Sequence, residues 1–255
     1  MSQFERYFKR NSKNLIFKWS HYFEIYEKHF NRFKNKDIVL VEVGIYNGGS
    51  LQMWQDYFGS NARIYGIDID ERCKQFEQDN IKIFIGSQAD REFLRDLKNK
   101  IPKIDILIDD GGHFMSQQII LFEELFDHMG EDGVYLCEDT HTSYMLKYGG
   151  GYKRNGTFIE YTKNLIDQLN AYHSEQLKKL TINKFTESVQ SIHYYDKVFV
   201  IERRRKEKPL IISSGNKILK ESFEVKLYKP SLRKRLLKLI NVVLRYLNIK
   251  SFRWY

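Results

Sequence analysis

The chain has 255 residues, 42% of them hydrophobic and 15% aromatic, and a formal net charge of +9. That is enough chain for one sizeable core with extensions, and the composition excludes a collagen-like, intrinsically disordered or disulfide-rich protein. Two cysteines far apart, Cys73 and Cys137, and a polar start without an apolar signal core lead us to expect a cytoplasmic protein. No apolar run approaches ~20 residues, so we expect a protein that lies on a membrane at most.

Residues 13–34 carry apolar positions at three- and four-residue spacing, which predicts helices. DIVLVEVG (37–44) reads as a strand, IYNGGS as a glycine-containing turn and SLQMWQDYF (50–58) as a helix. RIYGIDID (63–70) is a second strand, with a helix near ERCKQFEQD (71–79). IKIFIG (81–86) is a third, followed by the helix DREFLRDLKN (90–99). KIDILIDD (103–110) is a fourth, with a helix near MSQQIILFEELFDHM (115–129), and GVYLCED (133–139) is a fifth. KLTINKF (179–185) and SIHYYDKVFVIERR (191–204) read as an antiparallel pair closing the sheet. Short apolar strands alternating with amphipathic helices predict an α/β protein, with a mostly parallel sheet of seven strands and helices on both faces. We divide the chain into a helical lid region (1–36), an α/β domain (37–205) and a basic C-terminal extension (206–255).

Ligands of such sheets sit beyond the C-terminal strand ends. Gly44, Gly48 and Gly49 permit a tight first turn and close backbone approach at a helix N-terminus. Asp68 ends the second strand, where a carboxylate can take both ribose hydroxyls of an adenosine. The turn alone is weak support, because any tight strand-to-helix turn looks similar; the ordered set of strand, glycines, helix, strand and acid is stronger.

DILIDDGGHF (105–114) poses a further problem, since adjacent buried carboxylates repel. Asp110 ends strand four, while Glu138 and Asp139 end the neighbouring strand five. Three converging carboxylates suit an oxygen-ligated divalent cation, Mg²⁺ best, with Mn²⁺ or Ca²⁺ as alternatives. Asp110, Glu138 and Asp139 are therefore the candidate metal ligands, and Asp109 is directed toward the cofactor or back into the turn. The ion would acidify an acceptor hydroxyl, and His113, just past the Gly-Gly bend, is the candidate base. The bland readings are a capping role for Glu138 and Asp139 and a surface role for His113.

The motifs KWSHYFEIY, VEVGIYNGGSLQMW, YGIDID, IGSQAD, LIDDGGH and CEDTHTSY resemble, in order, those of class I S-adenosylmethionine-dependent methyltransferases. The branch they resemble is that of the macrolide sugar O-methyltransferases and the related cephalosporin-hydroxylase-like proteins, over about residues 17 to 201. The resemblance implies a Rossmann-like methyltransferase fold, S-adenosylmethionine as cofactor, Glu42 facing its methionine end with Tyr46 and Ser50 completing its site, Ser87 and Gln88 beside its adenine, and a sugar or glycan hydroxyl as acceptor. Family members often have Asp where Ser87 stands. It also implies catalysis by His113 with Asp110, at the family's D-x-x-H spacing.

Tyr144 and His141 are candidate acceptor contacts, although His141 also reads as a structural residue. The aromatic stretch with His21 and Tyr22 reads as a lid or as core packing. Residues 147–158, with four glycines and three Lys/Arg, read as a mobile loop admitting an anionic acceptor. From Gly215 to Tyr255 eleven Lys/Arg stand against two Glu, so this tail carries the whole excess charge. In residues 231–255, Arg233, Lys234, Lys238, Asn241, Arg245 and Asn248 share one helical side. Leu232, Leu236, Leu239, Ile240, Val243 and Leu247 share the other, and Trp254 and Tyr255 end the chain. This basic amphipathic helix is read as packing on its own domain or a second subunit, or as lying on the inner face of the membrane; nucleic acid is disfavoured. The combined expectation is metal-dependent O-methylation of a sugar hydroxyl in surface glycan or glycolipid assembly. The alternatives are a hydroxylase on the same fold and a catalytically idle assembly module.

Overall fold

The structure, a computed structural model, describes residues 1–176, 178–218, 232–247, 249 and 252. They fall into two compact units, Met1–Pro209 and Leu210–Tyr255.

The first unit holds a seven-stranded sheet of order β3-β2-β1-β4-β5-β7-β6. Its strands are β1 (Val39–Val43), β2 (Arg63–Asp68), β3 (Ile81–Ile85), β4 (Ile104–Asp109), β5 (Met129–Cys137), β6 (Val189–Tyr194) and β7 (Phe199–Arg203). The first five are parallel, β7 runs antiparallel to β5, and β6 pairs with β7 as a hairpin. The helices are α1 (Gln3–Arg10), α2 (Tyr22–Phe30), α3 (Gly49–Phe58), α4 (Arg91–Lys98), α5 (Met115–Leu125), α6 (Phe158–Leu169), α7 (Lys184–Ser188) and α8 (Leu232–Tyr246).

Strand alternation distributes the core over two faces. Leu40, Ile106, Ile108, Val134 and Leu136 pack with Tyr26, Trp54 and Phe58 on one face. Val41, Leu107, Tyr135 and Cys137 pack with Leu121, Phe122 and Phe158 on the other. The same alternation sends the strand-end acids apart: Asp109 continues the face of Leu107, while Glu42 continues the face of Leu40.

Several expectations need correction. Only Tyr22–Phe30 and a 3-10 turn, Asn31–Phe33, are helical within 13–34, and residues 13–19 form an irregular segment. Helix α1 was not anticipated, although Ser2 and Glu5 form a reciprocal capping box at its start. The helix expected at 71–79 is a 3-10 turn, Glu71–Phe76. KLTINKF is not a strand. Asn183 accepts from the Thr186 amide and opens α7 there, and the antiparallel pair lies wholly within 189–203. Helix α6 was missed; the Thr157 hydroxyl caps its N-terminus. The glycine loop before it is held in place, with Gly150 N–H on Met145 O and Gly151 N–H on Ser143 O.

In the second unit, Leu232, Leu236, Leu239 and Val243 of α8 are exposed. Asn248, Trp254 and Tyr255, and the side chain of Arg245, lie outside the described residues. Among the described residues no helix is long and apolar enough to cross a membrane.

Candidate active site

A cavity of about 830 Å³ opens beyond the C-terminal ends of β1, β2, β4 and β5. Its nucleotide half is built largely from backbone. Gly44 has φ +88°, and a Cβ there would lie 2.0 Å from the Asp110 carbonyl oxygen, so only glycine lets β1 and β4 approach this closely. Gly48, at φ 72°, is the left-handed residue that starts α3. Asp68 Oδ2 accepts from the Ile45 and Tyr46 amides at 2.8 and 3.2 Å, and Oδ1 accepts from the Asp70 amide at 3.0 Å. Asp68 thus pins the glycine turn while facing the cavity, which Gly44, Tyr46, Ser87 and Gln88 also line.

Glu42, Gly48, Ser50 and Asp109 are not part of that lining. Glu42 is fully buried; its Oε2 accepts from Ser50 Oγ at 2.8 Å and its other oxygen has no partner. Burial pushes its carboxyl up to about 7, against the pull of Lys18. Asp109 is also fully buried, accepting from Gln88 Nε2 at 3.0 Å and from Tyr135 Oη at 3.5 Å. Burial raises it to about 6, opposed by Gln88 and His113. The Gln88 side-chain oxygen in turn accepts from the Gly112 amide at 2.9 Å, bracing the Gly-Gly bend.

The carboxylate half brings Asp110, His113, Glu138 and Asp139 to the cavity wall. One ligand atom each from Asp110, His113 and Asp139 lie within 4.8 Å of one another. His113 Nε2 is 3.6 Å from Asp139 Oδ2 and 3.9 Å from Asp110 Oδ1, too far for hydrogen bonds, and its buried Nδ1 has no partner. Tyr46, His113 and Asp139 all sit at positive φ (51°, 58° and 52°), a strained conformation for non-glycine residues that is concentrated at this cavity.

Glu138 differs from its neighbours. It is 1% exposed, and both its oxygens lie 2.9 Å from Lys18 Nζ, which also lies 2.5 Å from Asp110 Oδ2. Tyr26 Oη donates to Glu138 Oε1 at 2.5 Å. Burial and Asp110 raise the Glu138 carboxyl to about 8, with Lys18 and Tyr26 pulling it down. Burial lowers the Lys18 ammonium, but Asp110, Glu138 and Glu42 more than offset this and hold it charged. Asp139 Oδ1 accepts from Tyr22 Oη at 2.6 Å and from Trp19 Nε1 at 3.1 Å.

Lys18, Trp19 and Tyr26 fall within the KWSHYFEIY motif, but no site role is assigned to them from the sequence. For Tyr26 a signal exists: it lies one helical turn after Tyr22, on the same buried face. For Lys18 the motif marks the position and not the role. Of the acceptor candidates, Tyr144 is 54% exposed and outside the cavity lining. His141 Nδ1 is 3.8 Å from Asp139 Oδ1, its ring lies edge-on to Trp19, and burial lowers its pKa. Tyr148 lines the cavity, its ring centre 6.5 Å from that of His113. His21, by contrast, bonds the Asp196 carbonyl.

A divalent cation fits this donor set. Hard oxygen ligands, an unpartnered imidazole nitrogen and interatomic gaps wider than hydrogen bonds suit an oxygen-seeking ion.

No family model matches the chain. Its fold matches MycE methyltransferase of the mycinamycin biosynthetic pathway, solved in complex with Mg, SAH and mycinamycin VI. The TM-score is 0.70 at 26% identity, over 92% of this chain and 57% of that one. A second crystal form of MycE, with Mg and SAH, gives a TM-score of 0.71 at 27% identity over 84% and 56%. The sheet, its order and its strand-end cavity are those of the class I S-adenosylmethionine-dependent methyltransferases. In sequence, the chain is 32% identical over 193 residues to a tetracenomycin rhamnosyl 2'-O-methyltransferase of Streptomyces olivaceus, covering 72% of this chain and 50% of the relative. It is 29% identical over 192 residues to mycinamicin VI 2''-O-methyltransferase of Micromonospora griseorubida, covering 71% and 48%. The chain belongs to this sugar O-methyltransferase branch of the class. It spans about half the length of the curated relatives it matches.

Proposed function

We propose that the protein is an S-adenosylmethionine-dependent, Mg²⁺-assisted O-methyltransferase acting on a sugar hydroxyl. The observation that carries this reading is the convergence of Asp110, Asp139 and His113 at the wall of a cavity whose other half is a glycine turn pinned by Asp68. Relatives named as sugar O-methyltransferases, and a matching structure that holds Mg and SAH, support it.

In this reading Asp68, Gly44 and Tyr46 hold the nucleoside, with Ser87 and Gln88 at the adenine. Glu42, Ser50, Gly48 and Asp109 act from beneath, shaping the turns that the cofactor contacts. Asp110, Glu138 and Asp139 would hold the metal, which when bound supplies a Lewis acid that makes a nearby hydroxyl more acidic. His113 takes the hydroxyl proton at Nε2, the ring nitrogen that faces Asp110 and Asp139. Tyr148, also on the cavity wall, helps exclude water from the reacting oxygen. Tyr144 and His141 contact the acceptor at the outer rim.

The acceptor is a glycan or lipid-linked sugar in surface glycan assembly, met at the inner face of the membrane. The exposed Lys147, Lys153 and Arg154 of the glycine loop at 147–158, and the basic amphipathic α8, support an anionic setting. The test is calorimetric titration of S-adenosylhomocysteine and Mg²⁺ into the wild type and Asp110→Asn. The wild type binds both; the variant keeps the nucleotide and loses the metal. Nucleotide binding without any Mg²⁺ binding would remove the metal from the mechanism, and binding of neither would overturn the reading.

A further inference from the structure

Among the described residues, every side-chain hydrogen bond to the outer carboxylates Asp110, Glu138 and Asp139 comes from one short stretch of chain. Lys18 holds Asp110 Oδ2 and both oxygens of Glu138; Tyr26 holds Glu138 Oε1; Trp19 and Tyr22 hold Asp139 Oδ1. Lys18 is 3% exposed, so its ammonium group is a fixed part of the cluster rather than a surface charge. It sits on the irregular segment between α1 and α2, whose Leu15, Phe17, Lys18 and Trp19 wall the nucleotide cavity. That segment is itself seated on the glycine turn: Asn14 Nδ2 donates to the Asn47 carbonyl at 2.9 Å, and a Cβ on Gly49 would lie 2.3 Å from the Leu15 carbonyl oxygen.

We infer that Lys18 is the built-in competitor of the divalent cation, and that the ion engages Asp110 and Glu138 only by displacing the Lys18 ammonium and with it the cavity-walling segment at residues 11–20. The inference rests on the metal reading proposed above. Its physical basis is that both cations draw on the same oxygens at close range. Glu138 has both oxygens on Nζ and one also on Tyr26, so three of its roughly four acceptor positions are taken while Lys18 stays. A dication at about 2.1 Å from those oxygens would lie within about 5 Å of the ammonium, and the two repel strongly at a buried site. Asp110 and Asp139 outnumber the one lysine even with Glu138 protonated, so the cluster keeps a net negative charge that attracts the ion. Lys18 thus keeps the empty site folded and sets a threshold for metal binding. Because its segment walls the nucleotide cavity, metal and nucleotide occupancy are linked. Lys18 acts here as a positioning residue.

The test uses the full chain. Mg²⁺ and Mn²⁺ are titrated calorimetrically, with S-adenosylhomocysteine present, into the wild type, Lys18→Met and Lys18→Arg. The expected result is at least tenfold tighter metal binding by Lys18→Met, with the weaker affinity kept by Lys18→Arg. Equal or weaker binding by Lys18→Met overturns the inference and leaves the metal reading intact. Should Lys18→Met fail to fold, hydrogen exchange of the wild type decides: amides of residues 12–20 exchange faster on Mg²⁺ saturation if Lys18 is displaced. Unchanged exchange there overturns the inference. Metal binding by Lys18→Met alone supports it in its strongest form, whereas binding by neither protein removes the metal reading and this inference together.

Discussion

The two halves of the cavity hold their acidic groups in opposite ways. In the nucleotide half, Asp68 is satisfied by backbone amides at most 23 positions away, and the turn it pins relies on glycines at positive φ. In the carboxylate half, Asp110, Glu138 and Asp139 are satisfied by side chains 92 to 120 positions away. The first half is therefore a local construction, carried by the β1–α3 and β2 turns. The second exists only once α2 and the segment before it have docked. Damage to the first should appear in nucleotide affinity and local fit, and damage to the second in chemistry.

The sharpest way to separate the halves is His113→Gln. Once an acceptor is in hand, methyl transfer should fall by about 10²–10⁴-fold, with S-adenosylhomocysteine affinity within about threefold of the wild type. A parallel loss of nucleotide binding would show that the halves are not independent. Next in size, Gly44→Ala should cost about 3 kcal/mol in urea unfolding, because it combines a positive φ with a Cβ placed 2.0 Å from the Asp110 carbonyl. An unchanged midpoint would mean that the turn relaxes freely. Asp68→Asn should weaken S-adenosylhomocysteine about 10–100-fold in calorimetry, the scale of losing charge-assisted hydrogen bonds, and leave Mg²⁺ affinity measured without nucleotide untouched.

The smallest effect concerns how α2 is fastened to the sheet. Glu202 on β7 accepts from His29 Nδ1 at 2.6 Å and from Arg32 at 3.1 Å. The His29 hydrogen bond, helped by Arg32 and opposed by burial, lowers its carboxyl to about 2. A carboxylate depressed in the folded state stabilises the protein above its unfolded value near ~4.3, and that contribution is lost as pH falls toward about 2. Glu202→Gln should therefore cost about 1–2 kcal/mol at pH 7 after allowance for solvent screening, and nothing near pH 2. A difference from the wild type that persists in acid would place the effect in packing rather than charge.

Much of the fold was legible because strands β1 to β5 are short apolar runs bounded by turn residues, and each is paired in register with a parallel neighbour. The segments misread are those where local pattern and tertiary context diverge. KLTINKF alternates like a strand, yet the Asn183 cap turns it into α7. The start of the 13–34 stretch has helical spacing, yet residues 13–19 are irregular and spend their side chains on the cavity wall and the carboxylates. At the site, Asp68, Asp110, His113 and Asp139 stand at strand ends, where topology delivers them to one place. Lys18 falls in the KWSHYFEIY motif, but its role carries no such mark, because it is defined only by charges far away in sequence.

By itself, then, the sequence determined the alternation of strands and helices, the glycine turn and the set of strand-end acids, since each follows from short-range periodicity and backbone freedom. Only the tertiary structure decided which acids share a face. The period of two sends Asp109 under α5 and leaves Glu138 beside Tyr26. Only the tertiary structure, too, brought a lysine from the N-terminal segment between Asp110 and Glu138, because burying that much like charge requires a counter-charge that no neighbour in sequence provides.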